Sequence, residues 1–180
     1  MANSHHVAAI KQGVIAWNQW RKIHPDIEPD LSGADLIRIQ LHGADLSQVN
    51  FARADLTEAD LNSADCRNAN FSAICLVNAN LSCANLSDAN LSRADLTEAD
   101  LNGASLRTAD LTRATLVKAD LRGANLAGAK LCYADLCQAN LLGTLLLGAN
   151  LLNADLTRTN YRRANLREAN LEQAVLTDQP

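Results

Sequence analysis

The sequence predicts an all-β solenoid whose N-terminal end is closed by an α-helical cap. Three observations predict it. A hydrophobic period of five runs unbroken from residue 29 to the end of the chain, glycine occupies one position of that period, and proline is confined to the margins of the array.

Residues 1–28 read as a capping helix and linker, and residues 29–180 as the β-solenoid. A solenoid end exposes apolar core and unpaired strand edges, so a cap is required. A single helix is expected over residues 5–22, with Ser4 as its N-cap. Val7, Ile10, Val14 and Trp17 fall within about 80° of one another on a 3.6-residue wheel, with Trp20 at the margin. That stripe is suited to sealing the first coil, so the two tryptophans read as packing residues rather than a ligand box. His24 and Pro25 follow the helix end.

In the array, thirty positions from Leu31 to Leu176 are leucine except Phe51, Cys66, Phe71 and Tyr161. Two residues before each stands alanine, except at Pro29, Ile39, Val49, Ile74, Thr144 and Thr159. Asp or Asn mostly lies between, as in Ala54-Asp55-Leu56 and Ala124-Asn125-Leu126. On an α-helix a five-residue step turns the side chain by about 140° and scatters the leucines. In a straight strand an odd period flips successive leucines to opposite faces. The period therefore needs a chain that turns one corner per repeat, with Ala and Leu inside. Gly33, Gly43, Gly103, Gly123, Gly128, Gly143 and Gly148 all sit two residues after a leucine site, which points to a corner at positive φ. Pro25, Pro29 and Pro180 lie at or beyond the ends, as expected where every residue feeds a backbone ladder.

This array resembles the pentapeptide-repeat proteins, whose unit is A-(D/N)-L-x-x, over residues 29 to 178. The segment Trp17-Asn18-Gln19-Trp20-Arg21 before Pro29-Asp30-Leu31 is similar to a leader of cyanobacterial members. The resemblance implies a right-handed quadrilateral β-helix with four pentapeptides per coil, hence about seven and a half coils. Phe51 and Phe71, twenty residues apart, are then expected to stack. At the C-terminal end only Thr177 to Pro180 follow Leu176. Either this tail covers the last coil or two molecules meet there, and a homodimer through the C-terminal coils is the expectation.

Grouping outward residues by position modulo twenty gives four faces. One carries Asp35, Asp55, Glu58, Asp95, Glu98, Asp135 and Asp155 against Arg38, Lys118 and Arg158, a net −4, which is the net charge of the chain. Some family members protect DNA gyrase by resembling DNA, so a DNA-mimicking modulator of gyrase or another topoisomerase is the alternative function. The acidic face is interrupted by bases, and the array has no loop insertions. Arg53, Arg93 and Arg113 share a column on another face. Leu142, Leu145, Leu147 and Leu152 stand where solvent-facing residues are expected, on one late coil, with Cys132 and Ala127 one coil below. Such an apolar band marks a contact surface.

Composition narrows the function further. Acids and bases are interspersed at net −4, which excludes a basic nucleic-acid binder. No run of about 18 apolar residues is present to span a bilayer. Lys11, Gln12, Asn18 and Gln19 interrupt the N-terminal segment, so cytoplasmic residence is the expectation. The five cysteines, an odd number without a C-x-x-C pair, argue against a disulfide framework or zinc site, and reduced thiols are expected. The four histidines form no catalytic or ligand spacing, and no phosphate-binding glycine loop or nucleophile elbow is present. The expectation is a non-enzymatic protein-interaction scaffold with no cofactor, no metal and a protein partner not identified by the sequence.

Overall fold

The computed structural model describes residues 2–177. Two short helices, α1 (Ser4–Ile10) and α2 (Val14–Ile23), precede a coiled array of one-residue bridges. The single helix expected over residues 5–22 is broken at Gly13, whose φ of 93° is open to glycine and costly for other residues. The N-cap is Asn3 rather than Ser4, its side chain accepting from the His5 N–H. The break lets both helices turn an apolar side onto the first coil. Ile10 and Trp17 are fully buried, and Val7, Val14 and Trp20 are partly buried against them. Trp20 stacks on Trp17 at 5.3 Å between ring centroids and packs against His6 and His24, so both tryptophans belong to the cap.

From Asp30↔Asn50 to Asp155↔Val175 every bridge is parallel and joins residues twenty apart. Four pentapeptides therefore complete one turn, one per side of a four-sided coil. The pentad Asp55–Ala59 shows how each N–H is satisfied. Asp55 N–H donates to Ala34 O in the coil before, while Leu56 and Glu58 donate to Cys75 O and Val77 O in the coil after. Ala59 donates back to Leu56 O, closing the corner as a β-turn. The remaining N–H, that of Thr57, donates to the Asp55 side chain at 3.0 Å. Asp or Asn recurs before most leucine sites because it supplies that acceptor, and in this pentad all five donors are paired.

Each corner residue two after the leucine site has positive φ, from Gly33 to Gln173. The non-glycine corners cluster at φ 53–61° and the repeat glycines at 64–69°. Twenty-two non-glycine residues hold this conformation, which is individually unfavourable, because the coil-to-coil bonds on both sides impose it.

Leucine sites from Leu31 to Leu156 are at most 2 % exposed, and the alanines beside them line the same core. Phe51 and Phe71 stack nearly parallel at 5.2 Å, as their twenty-residue spacing predicts. Thr144 and Thr159 replace alanine without orphaning a hydroxyl, since each donates to a backbone carbonyl, Leu121 O at 2.8 Å and Leu136 O at 2.7 Å. Cys66 fills a leucine site, and burial pushes its thiol pKa up, which keeps it protonated and inert.

The cap does more than cover apolar surface. The Trp17 indole N–H donates to Asp45 O at 2.8 Å, and the Asn18 side chain accepts from Asp45 N–H at 2.8 Å. Asp30 is paired likewise, donating to His6 Nδ1 and accepting from Asn3 N–H. Buried Arg21 donates to Ile27 O and Ser47 O beside the Asp45 carboxylate. The first coil's edge at Asp30 and Asp45 is thereby closed to further strand pairing.

At the other end the core thins. Tyr161, Leu166 and Leu171 are only partly buried, and Val175 and Leu176 are each 48 % exposed. Residues 178–180, which belong to the expected tail, lie outside the described residues.

Candidate functional site

The twenty-residue register carries four of the predicted surface leucines to three adjacent sides of one coil. Leu142, Leu145 and Leu147 are 36–44 % exposed, and Leu152 is half-buried. Gly123 N–H donates to Leu142 O, Gly128 N–H to Leu147 O, and Tyr133 N–H to Leu152 O. Those bonds set Cys132 and Ala127 directly below Leu152 and Leu147. Half-exposed Tyr133 extends the apolar surface, a residue that sequence reasoning left out because it occupies an ordinary corner. Leu145 departs from the repeat in a further way. It takes the Asp/Asn position and so offers no acceptor to the Leu147 N–H, the bond that Asp55, Asp95, Asp135 and Asp155 supply elsewhere.

The acidic face is present but its charge is partly spent. Arg38 pairs with Glu58 at 2.7 Å and Lys118 with Glu98 at 2.9 Å, each across one coil. Asp35, Asp55, Asp95, Asp135 and Asp155 form one column, interrupted by Cys75 and Thr115. Each points one oxygen at the N–H two residues on, Asp35 to Ile37 at 3.3 Å. Their recurrence is therefore a requirement of the turn before it is a surface charge.

Two turn aspartates, one in this column and one at the first coil, make a prediction about pH. The Thr57 hydroxyl and N–H hold the Asp55 carboxyl below its ordinary value of 3.8, and the Ser32 N–H does the same for Asp30. A depressed folded-state value adds stability above the unfolded value that is lost as pH falls through the folded one. Urea midpoints should be flat from about pH 7 to 5 and fall below about pH 4. Asp55→Asn, which keeps the acceptor, should shrink that fall, and an unchanged acid slope would remove Asp55 from the account.

On a third side, Arg53 and Arg93 stand in one column with Arg113, whose guanidinium lies 5.6 Å from the Tyr133 ring centroid. Cys75, Cys83, Cys132 and Cys137 are free thiols at or near the surface. Among the described residues no group of three or more His, Cys, Asp or Glu side chains is placed to hold a metal ion, and no helix is long and apolar enough to cross a membrane.

These features define a class: a rod built of equivalent coils, with an inert interior and chemistry only on its faces. The chain belongs to the pentapeptide-repeat family. Pentapeptide repeats match in eight copies across residues 30–62, 63–103, 89–128 and 124–160. Right-handed winding is what that membership implies. The chain is similar to the crystal structure of HetL, a pentapeptide repeat protein involved in heterocyst differentiation regulation from the cyanobacterium Nostoc sp. The identity is 34 %, over 82 % of this chain and 81 % of that one, with a TM-score of 0.52. It also shares its fold with QnrB1, a plasmid-mediated fluoroquinolone resistance protein, at 23 % identity over 84 % of this chain and 80 % of that one, with a TM-score of 0.64. No curated protein matches the chain.

Proposed function

We propose that this chain is a non-enzymatic protein-interaction module of the cytoplasm whose docking surface is the leucine band. The observation that carries this is Leu145. Its position mostly holds an Asp or Asn that closes the turn, and here that acceptor is given up for exposed apolar surface beside Leu142 and Leu147. Other pentads also depart at this position, as at Cys75, Ser105, Thr115 and Lys130, but at Leu145 the departure falls beside two more exposed leucines while the core stays intact, which is the pattern of a functional surface. The partner is a protein; no cofactor, nucleic acid or membrane takes part. The half-open last coil, with Val175 and Leu176 exposed, supports a homodimer through the C-terminal coils as a separate contact.

Two measurements test the band. Replacing Leu142, Leu147 and Leu152 together by Ser should abolish association, read by light scattering and by affinity capture with the tagged protein, while the circular dichroism spectrum stays unchanged. Association that survives the triple variant removes the reading. Leu145→Asn should restore the acceptor and raise stability by about 0.5–1 kcal/mol while weakening association. A loss of stability would show that Leu145 serves the fold.

The alternative, a DNA-mimicking modulator of gyrase or another topoisomerase, is favoured by the aspartate column. The distribution of charge along the rod weighs against it. Residues 30–110 carry twelve carboxylates and five arginines, a net −7, whereas residues 111–170 carry eight bases and four carboxylates, a net +4. A duplex is negative along its whole length. Dose-dependent inhibition or protection in a gyrase supercoiling assay would favour the mimic over the module.

A further inference from the structure

We propose that the leucine band receives an acidic, amphipathic segment of a partner protein, an inference that rests on the band being a docking surface. Three observations converge on that occupant.

The first is the charge of this part of the rod. The chain is acidic overall, yet the band lies in the stretch that carries net +4. The cations stand next to the band. Gly143 N–H donates to Arg162 O and Gly148 N–H to Arg167 O, which places these exposed arginines one coil beyond Leu142 and Leu147 in the same columns. Arg107 lies two coils before Leu147, in its column. Among the described residues Arg107 and Arg162 make no ion pair, and Arg167 reaches only its sequence neighbour Glu168, at 3.9 Å. Leu142 and Leu147 are thus flanked along the axis by guanidinium groups of Arg162, Arg167 and Arg107 that can meet carboxylates, while Arg122, one coil before Leu142, is already paired with Asp120 and Glu172 stands one coil beyond Leu152.

The second is the clearance around the leucines. The corners next to Leu142 and Leu147, and the corners one coil below, are Gly143, Gly148, Gly123 and Gly128. These are four of the seven glycines of the array. A Cβ at Gly123, Gly143 or Gly148 would meet nothing within 4 Å. Packing therefore does not require glycine there, and elsewhere in the rod Arg, Glu, Lys and Tyr occupy equivalent corners. The four glycines leave a smooth shelf beside Leu142 and Leu147 and one coil below them, which lets a partner backbone approach.

The third is the pairing of these features in one place. Apolar residues supply contact area, and the flanking arginines select the sign of the partner's polar side. A basic partner is repelled from this end of the rod, and a neutral one gains nothing from the arginines.

The test uses the full chain and three fluorescein-labelled amphipathic helical peptides with the same leucine face, whose polar positions are all Glu, all Gln or all Lys. Fluorescence anisotropy should show the Glu peptide binding at least about tenfold more tightly than the Gln peptide, with the Lys peptide weakest. Raising salt from about 50 to 300 mM should weaken the Glu peptide several-fold. Arg162→Glu with Arg167→Glu should invert the preference toward the Lys peptide, and Leu142→Ser with Leu147→Ser should eliminate all binding. Equal binding of Glu and Gln peptides, lost in the leucine variant, would overturn the acidic partner and leave the docking surface standing. Absence of peptide binding together with leucine-dependent self-association would place a second copy on the band and overturn the proposal. Absence of both would remove the docking surface and the proposal with it.

Discussion

Leu101→Asp is expected to abolish the folded array, the largest effect of any single substitution considered. Leu101 is fully buried at mid-rod, between Leu81 and Leu121 of its column, and its N–H donates to Asp120 O at 2.7 Å. Losing the leucine forfeits about 1.5–3 kcal/mol of burial. A carboxylate in its place has no cation within the core and adds several kcal/mol for desolvation. The total approaches the whole stability of a domain, roughly 5–15 kcal/mol. In a solenoid each coil contacts only its neighbours, so one failed coil also uncouples the halves on either side. The same change at exposed Leu142 should leave the melting temperature within a few degrees, since no core contact is lost. Thermal melts of the two variants provide the comparison. A folded Leu101→Asp protein, melting near the parent, would mean that the leucine columns are not the core.

Trp17→Ala is expected to be the second largest, costing about 3–5 kcal/mol for the deleted bulk. The substitution also strips Asp45 O of its indole donor and Trp20 of its stacking partner. With the cap loosened, the edge at Asp30 and Asp45 is open to another chain, so aggregation should rise with protein concentration. Trp17→Phe separates the two contributions: it keeps most of the bulk and loses the hydrogen bond, about 1 kcal/mol. Urea melts should rank parent, Phe and Ala in that order, with concentration-dependent light scattering greatest for Ala. A Trp17→Ala protein as stable and monodisperse as the parent would show that the helices are ornaments to the rod.

Much of this was legible in the residues because the repeat is strict. Leucine every fifth position excludes a helix and a flat strand by geometry, and glycine at one offset marks the corner. The Phe51–Phe71 stack followed from spacing once four repeats were assigned to a coil, an assignment that rested on family resemblance rather than on the period. The cap was read less well. Its apolar stripe was visible, but Gly13 was passed over as a break because its φ depends on where the two helices must lie. The hydrogen bonds of Asn18 and Arg21 to the first coils were not legible, because their partners at Gly43, Asp45 and Ser47 lie more than twenty residues away.

The surface divides in the same way. Which leucines are surplus to the core was decidable from their position in the pentad, and their exposure agrees. That Glu58 and Glu98 are neutralised by bases one coil away was not, because a pair at i and i+20 exists only after the coil closes. The amino-acid sequence by itself determined the inside of this protein, since a period of five admits one kind of packing for Leu and Ala. Tertiary structure decided which outward residues meet, because residues twenty apart become neighbours only through the coil. That proximity sets which carboxylates keep their charge, which backbone edge the cap closes, and which arginines flank the leucines.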